Sequence, residues 1–330
     1  MSNLWQAECR GIPLCEFTLR SIIVIAVTDK TTELNPSLER KQPFSPRDGN
    51  AHETAFGSPR DFLDNRFVYV VVSARARGLS IGVNMNPDKR CDFDCVYCEV
   101  NRNLPAREPN LDVGAMGAEL KRTIDFVREG RLRERPWYRA MPDELLQLRH
   151  VALSGDGEPT LAPNFDEVLQ EVIHVRALTT ASFFKLVLIT NSVGLELQQV
   201  QQGLKHFTKQ DEVWAKLDGG TQAYLDRVNR PGARLERILS NILLVARQRP
   251  VVIQSLFPAI HGEEPPLEEI DHYARRLKEL KTAGAQISMV QIYSAARPTT
   301  HSECGHLSLK CLSRIAQTVR QVTGLKAEVF

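Results

Sequence analysis

The chain has 330 residues, 42% of them hydrophobic and 25% charged, with a formal net charge of +2. That length holds one large domain or two small ones, and the composition is that of an ordinary soluble globular protein. A charge this near balance provides no global field for nucleic acid or membrane, and seven cysteines, an odd number, fit a reducing cytosol better than a disulfide framework.

Residues 1–60 differ from the rest and read as an N-terminal extension, largely loop or disordered. The apolar run 22–27 is too short to span a bilayer. Arg20 and Asp29 flank it, and no convincing cleavage site follows, so neither a signal peptide nor a membrane contact is expected and the location reads as cytoplasmic. Residues 28–57 are rich in Pro, Ser, Thr, Asn and charge. Cys9 and Cys15 precede them, either as helpers for a second cluster or as ordinary thiols; two are too few for a cluster by themselves.

From residue 67 the pattern changes. Residues 67–73 (F-V-Y-V-V-V-S) form a β-rich run, Arg75 and Arg77 follow, and 79–84 read as a second short strand. A cysteine loop comes directly after. A helix is predicted over 112–131, with Asp112 as N-cap. Then strands at 150–154, 184–190, 212–217, 251–256 and 287–293 alternate with helices at 163–176, 195–207, 234–248, 266–283 and 307–322. Counting from Leu79 there are six such strands, and alternation of this kind means parallel strands with right-handed helical crossovers. Six units are two short of a closed eight-stranded barrel. The fold class is α/β, with a core domain at 61–300 and a C-terminal helix and tail at 301–330 packing on it.

The cysteine loop holds Cys91, Cys95 and Cys98 in a C-x3-C-x2-C spacing. That spacing lets a short loop curl round a small inorganic cluster and point three thiolates at it. Fully protein-ligated iron–sulfur clusters take four cysteines. Three ligands on a four-iron cluster leave one iron open, and an open metal position is reactive. The plainer readings are a structural zinc site, which would want a fourth ligand that is not obvious, or three reduced cysteines that happen to be close.

Parallel α/β folds gather their active site at the carboxyl ends of the strands, and the unusual residues fall there. After the second strand comes S-G-D-G-E-P-T, 154–160. Gly155 and Gly157 allow the backbone to turn sharply and approach a ligand, and Glu158 offers a carboxylate; a capped strand-to-helix turn is the alternative. After the third stand Thr190, Asn191 and Ser192, which suit a ribose or a polar turn. On the fourth, two-residue alternation puts Trp214, Lys216 and Asp218 on one face. If that face is inward, the charges need partners or a ligand; if outward, they are solvated. The fifth ends at Gln254 and Ser255, the sixth at Gln291, Ile292 and Tyr293. Residues 128–139 carry five arginines with Trp137 and Tyr138, which suit phosphates and a stacked base or a solvated loop. Cys304 and Cys311 read as helix-packing thiols.

With Tyr97 as the aromatic, C-x3-C-x-aromatic-C resembles the signature of the radical S-adenosylmethionine (radical SAM) enzymes. The resemblance implies a partial (β/α)6 TIM-like barrel and a [4Fe-4S] cluster on Cys91, Cys95 and Cys98. It further implies SAM chelated to the open iron and cleaved by one electron to methionine and a 5′-deoxyadenosyl radical. A donor such as flavodoxin or ferredoxin would supply that electron. Residues 155–158 (Gly155, Asp156, Gly157, Glu158) resemble the glycine-glutamate-proline motif that holds the amino group of SAM. Lys216 resembles the basic residue that meets its carboxylate, and is the candidate catalytic residue; a Schiff base with a carbonyl substrate is its other possible role. Tyr97, Asn191, Asp218, Ser255, Gln291 and Tyr293 complete the expected cofactor-binding set. Residues 227–231 (R-V-N-R-P) and 290–299 (V-Q-I-Y-S-A-A-R-P-T) narrow the resemblance to the wyosine-related iron–sulfur oxidoreductases, a group including enzymes that act on tRNA guanosine. Those enzymes carry three further cysteines upstream for a second cluster, where this chain has only Cys9 and Cys15. Modification of tRNA or another nucleic acid is the first expectation for the substrate. Maturation of a peptide or protein, or chemistry on a small metabolite, is the alternative. An iron–sulfur electron carrier or redox sensor is a rival from another class, and would not need 155–158 or Lys216.

Overall fold

The computed structural model describes residues 62–106, 108–179, 184–297 and 299–330, with the backbone of 54–55 and 58–59. Thr54–Ala55 pairs antiparallel with Ser58–Pro59. The other readings made on residues 1–60, including Cys9, Cys15 and the apolar run 22–27, lie outside the described residues.

The β-branched run Val68–Ser73 (β1) pairs antiparallel with Gly78–Asn84 (β2), from Val68 opposite Val83 to Ser73 opposite Gly78. After β2 the strands are Leu148–Ser154 (β3), Lys185–Thr190 (β4), Glu212–Lys216 (β5), Val251–Leu256 (β6), Ile287–Tyr293 (β7) and Ala327–Val329 (β8). They lie side by side in chain order, every pair from β2 to β8 parallel. Helices Val113–Arg128 (α1), Phe165–Leu178 (α2), Gln198–Leu204 (α3), Gln222–Val228 (α4), Leu235–Ala246 (α5), Leu267–Thr282 (α6) and Leu309–Thr323 (α7) fill the crossovers. The six alternating units expected from the sequence are β2 to β7. The sheet adds β1 at one edge and β8, three residues long, at the other. The helix expected over 195–207 is confined to α3, and the seven-residue α4 is an addition.

Local chemistry sets several boundaries. Asp112 caps α1 by accepting from the Ala115 amide at 2.9 Å, as its sequence position predicts. Ser308 caps α7 at the N-terminus, and Gly324, at φ +66°, closes it in the left-handed conformation that favours glycine.

Alternation divides each strand between two environments. Val151, Leu153, Leu186, Leu188, Val213, Ile253 and Val290 belong to the main core with the helices, alongside Leu120, Leu169, Ile242, Leu277 and Ile315. Fully burying each such side chain contributes about 1.5–3 kcal/mol. The other face turns into the barrel, where Val187, Trp214 and Val252, with Ile189 and Met289, form an apolar floor. The curled sheet brings its two ends together through side chains. Arg77, in the β1–β2 turn, lies 2.6 Å from Glu328 on β8, and Arg75 stacks 4.1 Å above the ring of Tyr293 on β7. This is a partial barrel closed at the seam by side chains. Residues 52–330 are one compact unit, in which α7 packs on α6 and β8 extends the sheet. No helix among the described residues is long and apolar enough to cross a membrane.

Candidate active site

A cavity of about 390 Å³ opens at the carboxyl ends of the parallel strands and runs into the barrel. Cys91, Cys95, Cys98, Tyr97, residues 155–158, Asn191, Lys216 and Tyr293 all line it. Strand ends from β2 to β7 thus converge on one space, as parallel topology requires.

The cysteine loop is held from four directions by segments distant in sequence. The Glu158 amide donates to the Arg90 carbonyl at 2.9 Å. Gly157 makes this approach possible, since a Cβ there would lie 1.9 Å from that carbonyl oxygen. Asn191 donates to Asp92 at 2.6 Å. The 227–231 segment runs beside the loop: the Asp94 amide donates to Asn229 O and the Val96 amide to Val228 O, at 3.0 and 2.9 Å. After β7, both the amide and the hydroxyl of Thr300 donate to Cys98 O, at 3.0 and 3.1 Å. Asn229 goes further. Its amide nitrogen lies 3.4 Å from Cys95 Sγ, 2.8 Å from Tyr97 Oη and 2.8 Å from Asp218 Oδ2, so two N–H bonds serve three acceptors. Its role was not read from the sequence, although it sits inside the R-V-N-R-P segment.

Burial pushes the Cys91 thiol up to about 12, with the Glu158 carboxylate adding to the shift. Burial likewise raises Cys95 to about 11, partly offset by Lys216, and raises Cys98. Thiols in such surroundings ionise only against a bound cation. The Phe93 amide at 3.5 Å from Cys91 Sγ and Asn229 at Cys95 supply hydrogen bonds suited to ligating sulfur. Among the described residues, no three or more His, Cys, Asp or Glu side chains are grouped to hold a single metal ion.

The Glu158 carboxylate is engaged by the fold. It accepts from the Thr160 amide and hydroxyl at 3.1 and 2.7 Å, from the Thr190 hydroxyl at 2.6 Å and from the Asn191 amide at 2.7 Å. Burial raises its pKa against these donors, which lower it. Glu158 therefore ties the end of β3 to the end of β4, leaving the 155–157 backbone to face the cavity. Asp156 accepts from Asn84 at 2.8 Å, joining that turn to the end of β2.

Lys216 points inward. Its ammonium lies 3.6 Å from Asp218, donates to the Tyr293 hydroxyl at 3.3 Å, and sits 4.8 Å from the Tyr97 ring centroid. Burial alone would lower its pKa, but Asp218, Tyr293 and Cys95 together raise it above the usual lysine value. Asp218 lies behind the cavity wall. It accepts from Tyr97 and Asn229 through one oxygen and from the Leu256 amide, at 2.8 Å, through the other. Burial, then Asp218, raises Tyr97 well above the usual phenol value.

Two further expected ligand residues, like Asp218, do not line the cavity. Ser255 faces the helix layer, donating to Leu217 O at 2.6 Å and meeting the Tyr273 hydroxyl at 2.5 Å. Its neighbour Gln254, level with Lys216 in the β5–β6 register, lines the cavity instead. Gln291 is on the barrel side but behind Gln254, whose amide donates to it at 2.9 Å. In the arginine-rich segment, Arg131 pairs with Glu134, Arg133 with Asp143 and two carbonyls, and Arg135 packs over Phe62 and Phe126. Cys311 is buried in the main core, and Cys304 is half-buried in a short strand paired with Ala259–Ile260.

No family model matches the chain. A UPF0026 protein of Synechocystis is 29% identical over 181 residues, 53% of this chain and 57% of that protein, so the chain spans little more than half of this curated relative. Among solved structures, a radical SAM methyltransferase from Sphaerobacter thermophilus superposes over 80% of this chain and 68% of its own, with TM-score 0.55 and 16% identity. Streptococcus suis SuiB bound to S-adenosylmethionine superposes over 74% of this chain and 49% of its own, with TM-score 0.51 and 15% identity. Likeness at this identity is a likeness of fold: the chain has the fold of the radical SAM enzymes.

Proposed function

We propose that this chain, built on the radical SAM fold, is a radical SAM enzyme. In this reading Cys91, Cys95 and Cys98 ligate a [4Fe-4S] cluster and the neighbouring wall binds SAM. The observation that carries it is convergence: three half-buried thiols, the 155–157 backbone and an inward ammonium face one cavity at the strand ends. The donor set fits the cluster, since half-buried thiols, two of them with N–H donors at their sulfurs, suit thiolate ligation and three such ligands leave a metal position free. When bound, the cluster supplies the electron that cleaves SAM to methionine and a 5′-deoxyadenosyl radical, which takes a substrate hydrogen.

Lys216 is the partner for the methionine carboxylate of SAM. Its raised pKa keeps it an ammonium at neutral pH, whereas a Schiff-base lysine needs a lowered one. Asp218 balances that charge from behind, and the hydroxyl of Tyr293 orients it. Tyr97, fixed by Asp218 and Asn229, forms the apolar wall beside the ammonium. Gly155 and Gly157 let the turn pack closely on Asn84 and Arg90, and Glu158 holds it so that its backbone serves the amino group of SAM. Segments 227–231 and 290–299 support placement in the wyosine-related group, whose members include tRNA-modifying enzymes. The arginine-rich segment adds no support for a tRNA contact, because Arg131, Arg133 and Arg135 are engaged within the chain.

Anaerobic reconstitution tests the reading: about four irons per chain are expected, with 5′-deoxyadenosine formed on reduction in the presence of SAM. Alanine at Cys91, Cys95 or Cys98 should abolish both. Lys216→Ala should weaken SAM binding by roughly tenfold or more, and Lys216→Arg should restore part of it. Retained iron in Cys95→Ala, or wild-type affinity for SAM in Lys216→Ala, would overturn it.

A further inference from the structure

The side of the cavity at the barrel seam is lined by polar groups that the fold leaves unmatched. Four other positions show what matched groups look like here: Lys216 has Asp218, Arg102 has Asp94 at 3.8 Å, Arg297 has Glu99 at 3.6 Å, and Arg77 has Glu328. Arg75 lines the same cavity and has the Tyr293 ring beneath it, but among the described residues no carboxylate lies within ion-pair distance of its guanidinium. Beside it His150 is only 1% exposed, and its Nδ1 has no hydrogen-bond partner among the described residues. The ring stands edge-on to Trp214 at 5.2 Å, which fixes its orientation. Burial, reinforced by Lys185 and Arg75, lowers its pKa to about 3, so the imidazole is neutral. Gln254 lines this cavity and donates to Gln291, which lies behind it. Buried polar atoms in folded proteins are almost always satisfied. The unsatisfied Nδ1 of His150 in this cavity, beside a guanidinium that has no carboxylate partner among the described residues, describes a site whose remaining partner is a ligand.

We propose that this side of the cavity, lined by Arg75, His150, Gln254 and Tyr293, is a subsite for an oxyanion of the substrate, a carboxylate or a phosphate. The proposal rests on the radical SAM reading of the same cavity and names the substrate's recognition group. A planar guanidinium held flat on an aromatic ring presents its fork for bidentate contact with an oxyanion. The imidazole of His150 and the amide of Gln254 add polar groups to the same cavity. The subsite adjoins the place given to the SAM carboxylate: the hydroxyl of Tyr293 accepts from Lys216 while its ring carries Arg75, and Gln254 pairs in register with Lys216. Each of the two anions thereby has its own cation, and the substrate is held inside the barrel beside the cofactor.

Calorimetric titration of the reconstituted protein, unreduced and saturated with SAM, with inorganic phosphate and with acetate tests this, with chloride as the control for ionic strength. Saturable binding of one anion per chain is expected, and the anion preferred identifies the group. Arg75→Met should weaken it at least tenfold, and Arg75→Lys less, with iron content and thermal midpoint reported for each. Should Arg75→Met not fold, Gln254→Met, which keeps the side-chain volume, carries the same test with a loss of at least threefold expected. Absence of saturable binding by either anion, or equal affinity in the substituted protein, overturns the subsite. Iron content and 5′-deoxyadenosine formation in the wild type are read separately. Their absence with anion binding intact would overturn the radical SAM reading and leave the subsite standing.

Discussion

Gly157→Ala asks whether the turn after β3 holds the cysteine loop. The added Cβ would sit 1.9 Å from the Arg90 carbonyl oxygen, 2.7 Å from its carbon and 2.8 Å from Asn86 Cβ. Two of these neighbours are backbone, so no side-chain rotation relieves the clash, and one chain segment has to move by roughly 1 Å or more to reach van der Waals distance. That movement breaks the Glu158 amide to Arg90 carbonyl bond, worth about 0.5–1.5 kcal/mol. Overpacking at such a site costs about 1–3 kcal/mol. Together these come to about 1.5–4.5 kcal/mol, and at tenfold per ~1.4 kcal/mol the docked loop is depopulated by roughly 10- to 1,600-fold. The clash is with the loop rather than the helix-facing core, so the barrel should still fold. Iron per chain after anaerobic reconstitution should therefore fall to a small fraction of wild type while far-UV circular dichroism stays the same. Full iron content together with wild-type SAM affinity would refute the claim that this contact positions the cysteines.

Asn229→Ala should destabilise the protein by about 1–3 kcal/mol, since Asp218 and Tyr97 lose a buried donor. It should also make the cluster potential more negative, as expected when a hydrogen bond to a ligating sulfur is removed; spectroelectrochemistry showing no shift would discount the contact to Cys95. Ser255→Ala should cost about 1 kcal/mol in a urea melt through its lost bonds to Leu217 and Tyr273, with SAM affinity unchanged. Weakened SAM binding there would return Ser255 to the ligand wall. His150 gives a pH signature. Its folded pKa of about 3 lies below the ordinary value of 6.5, so the unfolded chain binds the extra proton first as pH falls. Its contribution is complete above pH 6.5 and is lost between there and pH 3, on the order of 4–5 kcal/mol at full linkage. Urea midpoints at pH 7, 5 and 4 should decline less steeply in His150→Phe, and parallel slopes would contradict the buried neutral imidazole. A variant lacking Cys9, Cys15, Cys304 and Cys311 should retain all its iron, and a proportional loss would point to a second cluster.

Much of the architecture is carried by short-range pattern. The period of two along 212–217 puts Trp214 and Lys216 on the same face, and the parallel strands make that face the barrel interior. The alternation of apolar runs with capped helices gives the six units, and the spacing of Cys91, Cys95 and Cys98 is a local property of one loop. Each of these depends only on neighbours within a turn or a strand, where side-chain periodicity and backbone geometry are coupled directly. The same rule applied across β5 and β6 separates Gln254 from Ser255, but it needs the strand register, which is set by pairing rather than by either strand alone.

What holds the cysteine loop was decided by tertiary structure. Thr300 reaches Cys98 across 202 residues and Asn229 reaches Cys95 across 134. An asparagine or threonine carries no address in its sequence neighbourhood; its partner is whatever the curl of the sheet delivers. The strand Ala327–Val329 is likewise too short to show a period and exists because the exposed edge of β7 offers it hydrogen bonds. Arg75 in the sequence is one more basic residue in a turn. Only the meeting of the first hairpin with β7 lays it on Tyr293 and leaves its charge facing the cavity, because closure of the barrel fixes which side chains the two ends of the sheet present to each other.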